Sequence, residues 1–235
     1  MHTIKSIALF ISLSPLLTSC ALPGKIANQK LESSKNIAVA SLLGDTFHGI
    51  HIGGTVFHNE AYKASVPDWE IDALAEQIIT KHISKNSSRH AATLNHDAGL
   101  SDRFIKSFSY FNSGYNYDEV INLAKQQGAD TLILIQATKY DNAPHHKPGY
   151  GFYDGTFFSS RHSCVYSLFT INVFSIATRE KTGWEWGFPT CYGENYLPWK
   201  NSFDKYSEDE KTLMRKKTEE NIKANVIKAI SGIGF

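Results

Sequence analysis

Apolar residues follow two rhythms along the chain. Residues 36–43 (NIAVASLL) form a short apolar run closed by Gly44-Asp45, the length and boundary of a strand. Residues 46–52, Gly53-Gly54 and residues 55–58 read as a hairpin, because Gly-Gly supplies positive φ at a turn. Pro67-Asp68 opens the first helix, with Asp68 as candidate N-cap. Ile71, Leu74, Ala75, Ile78 and Ile79 then recur at the i, i+3, i+4, i+7, i+8 spacing of one buried face. Residues 89–94 read as a short strand, and Ser101 caps a helix carrying Phe104, Ile105 and Phe108.

The second half is more strongly patterned. Residues 117–127 (YDEVINLAKQQ) place Val120, Ile121 and Ala124 on one helical side, and Gly128 suits the residue after a helix end. Thr131–Ala137 (TLILIQA) is continuously aliphatic, as in a strand covered on both faces. Residues 142–163 are rich in Gly, Pro, His and aromatics and read as a long loop. Residues 164–177 form a strand, 178–183 a polar turn, and 184–188 the returning strand. Trp184 and Trp186 share one face of it, directed at the C-terminal helix, with Glu185 on the other. Ser207 and Glu210 form a capping box that opens this helix. The order predicts an α/β (α+β) domain over residues 36–235, a single mixed β-sheet with helices packed on it.

Four segments carry a family resemblance: NIAVASLL at 36–43, DWEIDALAEQIITKHI at 68–83, AKQQGADTLILIQAT at 124–138 and FSIATREKTGWEW at 174–186. Together they resemble the periplasmic lipoprotein α/β domain shared by the TolB N-terminal domain, CsgG and LpoB. The resemblance implies a lipoprotein of the cell envelope working through protein contacts.

The N-terminus, MHTIKSIALFISLSPLLTSC, fits that expectation. Its apolar stretch from Ile7 to Leu17 is shorter than the roughly 20 residues of a membrane span and has the length of a signal-peptide core. Leu17-Thr18-Ser19-Cys20 resembles the lipobox of bacterial lipoproteins. Residues 1–19 are then the signal peptide, cleaved between Ser19 and Cys20, and Cys20 carries the lipid. Residues 20–35 are the lipidated cysteine and its polar tether, and Ala21 favours the periplasmic face of the outer membrane by resemblance to enterobacterial sorting.

Charge and cysteines narrow the classes further. The chain has 24 Lys and Arg against 23 Asp and Glu, and removing residues 1–19 takes only Lys5. That balance lacks the basic footprint of nucleic-acid binding. Beyond Cys20, Cys164 and Cys191 are a candidate disulfide in an oxidising compartment; two unrelated thiols are the alternative. Gly-x-Ser-x-Gly, His-Glu-x-x-His, Walker A and Gly-x-Gly-x-x-Gly spacings do not occur. His48 and His51 lie three apart on a strand and point to opposite faces, while His145 and His146 sit in the long loop, so no metal and no cofactor is expected. Tyr150, Phe152, Tyr153, Phe157, Phe158 and Arg161 are of the types that dominate binding hot spots and are candidates for partner contact; the alternative is a hairpin extension whose aromatics pack on the sheet. The resulting expectation is a non-enzymatic envelope adaptor or assembly factor with an unidentified envelope partner. A periplasmic hydrolase or metal-binding enzyme, and an oligomeric secretion component resembling CsgG, are the alternatives.

Overall fold

The longest strand, β7 (Ser160–Ser175), organises the sheet. A computed structural model describes residues 34–109, 114–143, 145–157, 160–188 and 197–235. The other strands are β1 (Asn36–Leu42), β2 (Thr46–Ile52), β3 (Glu60–Ser65), β4 (His90–Thr93), β5 (Thr131–Ala137), β6 (Gly149–Phe157) and β8 (Lys181–Gly187). The helices are α1 (Ile71–Asn86), α2 (Leu100–Lys106), α3 (Asp118–Gln126) and α4 (Glu208–Ile233). All eight strands belong to one mixed sheet, as the sequence pattern predicts.

The sheet has two wings that share β7. Residues 160–168 pair antiparallel with β6, which runs parallel to β2, whose other edge carries β3. Residues 169–175 pair antiparallel with β5 and β8, and β5 runs parallel to β1 and then β4. Only Leu43-Gly44-Asp45 separates β1 from β2, so these strands extend each other from one wing into the next.

Both faces of the β1/β5 wing are covered. Ile37, Val39, Ile133, Ile135 and Ile171 pack with Ala75, Ile79 and Ile83 of α1 and Ile222 and Val226 of α4. Ala38, Ala40, Leu132 and Leu134 pack with Leu100 and Phe104 of α2 and Val120 and Ile121 of α3. This double cover is why β5 needs no polar alternation. Each fully buried aliphatic side chain contributes about 1.5–3 kcal/mol. Gly128, at φ 78°, ends α3 and releases the chain into β5.

Two carboxylates finish the outer edge of β1. The β4 ladder stops at Thr93, opposite Val39, three residues before β1 ends at Leu42. Beyond it, Ser41 N donates to Glu76 Oε1 at 2.9 Å, while Leu43 N and Gly44 N donate to the two oxygens of Asp72 at 2.8 and 3.0 Å. Asp72 and Glu76 lie one turn apart on the inner face of α1, so a helix replaces the missing strand. Burial raises both carboxyl pKa values, Glu76 to about 7.

Several sequence expectations change. The expected loop over 142–163 contains β6 and the start of β7. In β6 the large side chains Tyr150 and Phe152 alternate with Gly151 and Gly155, which let neighbouring groups approach. A Cβ on Gly151 would stand 2.0 Å from the carbonyl oxygen of His48. The residues after Gly53-Gly54 form a 3₁₀ turn, Val56–His58, and the hairpin returns through β3. Asp68 lies in a second 3₁₀ turn, Pro67–Trp69, held by burial of Trp69 against Phe47 at 5.0 Å; α1 starts after Glu70. Glu185, and not the tryptophans, faces α4: a Cβ on Gly232 would lie 3.3 Å from Glu185 Oε2. Trp186 packs on the opposite face against Tyr140 and Phe188.

Candidate functional site

Three strands bring together residues that are far apart in sequence. His51 of β2 pairs with Asp154 of β6, which pairs with Ser163 of β7. Asp154 has a fully buried side chain, and its Oδ2 lies 2.6 Å from His51 Nδ1. Arg161 Nε donates to Asp154 Oδ1 at 2.7 Å. A buried carboxylate requires such partners. An ionised carboxylate only accepts, so His51 donates to it through Nδ1.

The segment leading into α4 closes over this row. Trp199 stacks on His51 at 5.4 Å and on Tyr62 at 5.3 Å, and its Nε1 donates to Glu60 Oε2 at 2.7 Å. Ser207 and Glu210 make the reciprocal capping box, and Lys200 Nζ donates to Glu210 Oε2 at 2.5 Å. Trp199 is thereby tied to β3 at one side and to the start of α4 at the other.

The row sits at one end of the molecule. β2 and β6 finish there and β7 begins there. Phe57, in the β2–β3 connection at this end, is 92% exposed. Arg161 has a 47% exposed side chain. With Nε held by Asp154, its two terminal nitrogens remain for an outside acceptor. At the opposite end Asp130 Oδ2 accepts from Lys35 N and Asn36 N at 3.0 and 2.9 Å. Asp130 O also accepts from Ile176 N, just past the end of β7. A strand of the 16 residues of β7 is about 50 Å long at roughly 3.3 Å per residue, which sets the separation of the two ends.

The far face of the β2/β6 wing is apolar. Ile50, Tyr166 and Leu168 pack with Tyr140 and Tyr153. His146 stacks on Tyr153 and meets Tyr166 edge-on, each at 4.7 Å, and burial pushes its pKa down to about 4. Burial and the nearby Lys63 do the same to His48, which faces away from His51.

The expected contact residues divide. Tyr150 and Phe152 are fully buried in the core beneath α4 and present no binding surface. Tyr150 donates its hydroxyl to Gly44 O at 2.8 Å. Tyr153 is half-buried against His146. Phe157 ends β6 with its side chain outside the described residues, where Phe158 also lies. Arg161 is exposed as expected. Cys164 is buried and disulfide-bonded; Cys191 lies outside the described residues, as do Ser19, Cys20 and the tether up to residue 33. The sequence reading missed Phe57 and the His51–Asp154 pair, and read Trp199 only as fixing the entry to the last helix.

A histidine held by a buried aspartate is an arrangement used by general bases. Here Trp199 covers the ring, and no hydroxyl or thiol is hydrogen-bonded to His51 among the described residues. No group of three or more His, Cys, Asp or Glu residues is placed to hold a metal among the described residues. The arrangement is a cross-strand latch that fixes Arg161 and Trp199.

No protein-family model and no curated protein matches the chain. Among solved structures it is similar to the LpoB C-terminal domain from Salmonella enterica, at 9% identity, over 71% of this chain and 84% of that one, with a TM-score of 0.26. An overlap of that quality carries no property from one protein to the other.

Proposed function

We propose that the chain is a lipid-anchored periplasmic protein of the bacterial outer membrane that acts as a non-enzymatic adaptor. Cys20 is the acylated residue, and the end bearing Phe57, Arg161 and Trp199 docks on an envelope protein. The observation that carries this reading is the polarity of the domain. The chain from Cys20 enters at Lys35, held by Asp130, and the exposed aromatic and the pre-oriented guanidinium lie at the other end. Covering an exposed Phe contributes about 1.5–3 kcal/mol, and aromatic and Arg anchors dominate binding energy. A hydrolase using His51 over Asp154 is the second reading, and the covering Trp199 weighs against it.

The test is capture from native envelopes after chemical crosslinking, with mass spectrometry of the Cys20 fragment. Phe57→Ser leaves the fold unchanged, within about 0.5 kcal/mol, because the side chain is exposed. The expected result is an acylated Cys20 and a specific partner captured by the parent and lost with Phe57→Ser. Equal capture by both proteins sinks the docking surface, and an unmodified Cys20 sinks the anchor.

A further inference from the structure

We infer that the end of the domain nearest the anchor carries a binding site for anionic phospholipid head groups, in the groove between α1 and α4. Leu74, Ile78 and Ile227 provide its apolar floor, and Lys81, Lys85 and Lys223 stand around it. The groove encloses about 330 Å³ and no acidic residue lines it. Among the described residues none of these three lysines is ion-paired. The acids preceding Lys223 on α4 are engaged elsewhere, Glu219 by Arg215 and Glu220 by Lys217. The balanced charge of the whole chain therefore hides a locally basic surface.

The position of the groove selects its occupant, and this step rests on the proposed anchoring at Cys20. Lys85 lies in the last turn of α1, which leads to β4. His90 N, at the start of β4, donates to Lys35 O at 2.8 Å. The end of α4 reaches the same place: Phe235 O lies 3.3 Å from His82 Nε2, and Arg89 stands over the Phe235 ring at 5.5 Å. The last turn of α1, the end of α4 and the chain's point of entry at Lys35 thus converge. Residues 20–35 extend to at most about 55 Å, so this end stays near the membrane. Lysines near the end of α1 also complement its dipole. Lys223 lies well inside α4, where the dipole gives no such reason. Lysine stems lie along apolar surface while their ammonium groups reach lipid phosphates, which the apolar floor and charged rim match.

The test uses the full mature chain with Cys20→Ser, which cannot be acylated. It is sedimented with vesicles of phosphatidylcholine alone and with vesicles containing phosphatidylglycerol. The expected result is salt-sensitive binding to the anionic vesicles only. The triple variant Lys81→Gln, Lys85→Gln, Lys223→Gln is expected to bind about a hundredfold more weakly, at roughly fivefold per lysine. Its urea midpoint is expected to match the parent, because the three side chains are outside the core. Equal binding to both vesicle types, no binding to anionic vesicles, or full binding by the triple variant overturns the site. The anchor is read separately: an unmodified Cys20 in the native protein removes the anchor, whatever the vesicles show.

Discussion

Replacing Glu76 by Gln should stabilise the protein at alkaline pH and leave it unchanged in acid. Glu76 accepts the Ser41 N–H where β1 has outrun β4, and it does so while buried. Burial raises its pKa from 4.5 to about 7, with the neighbouring Asp72 pushing the same way. The folded state thus holds a proton that the unfolded chain releases between about pH 4.5 and 7. Stability from this group is fully present below pH 4.5 and is lost as pH rises to 7. At 1.36 kcal/mol per unit, the loss is about 3 kcal/mol. Glu76→Gln keeps an oxygen for Ser41 and removes the titration. The variant is therefore expected to be about 2–3 kcal/mol more stable than the parent at pH 8, with the difference shrinking as pH falls and vanishing below about pH 4.5. His48 and His146 act oppositely: both are held near pKa 4, so they cost stability as pH falls below 6.5. Both proteins contain them, so subtraction isolates Glu76. Urea unfolding of parent and variant from pH 5 to 8 measures it. A difference that does not change with pH, or a variant less stable at pH 8, refutes the reasoning.

Other outcomes follow from the same structure. Asp154→Asn leaves Arg161 without its buried countercharge and is expected to cost about 2 kcal/mol in urea unfolding. That is less than the 3–5 kcal/mol of a fully buried pair, because Arg161 is about half exposed. Gly151→Ala drives a methyl group into the His48 carbonyl at 2.0 Å, a backbone contact that cannot rotate away. It should cost more than about 4 kcal/mol or abolish folding, whereas Gly54→Ala, with nothing within 4 Å, stays within about 0.5 kcal/mol. Circular dichroism during urea titration separates these cases.

Local patterns were legible where one short segment decides its own structure. β5, α3 and the Ser207–Glu210 capping box lie where periodicity and capping chemistry place them. The stretch 149–157 is a strand, yet it reads as loop because of its glycines. Their role is close approach between strands, and Tyr150, Phe152 and Asp154 alternate on the buried face in the period of a strand. The paired faces of Trp184 and Trp186 were readable, but which face meets α4 depends on where β8 joins β7. His51 and Asp154 are separated by 103 positions, so only the parallel pairing of β2 and β6 unites them. Asp72 and Glu76 interrupt the inner face of α1 at i, i+4 spacing, the mark of buried acids with a partner.

The central claim is that the two ends of the domain do different work, and site-specific photocrosslinking in living cells tests it most directly. A photoreactive residue replaces Phe57 at the far end or His90 beside the chain's point of entry. The expected result is a discrete protein adduct from position 57 and none of the same mass from position 90. The same adduct from both positions, or from position 90 alone, contradicts the claim.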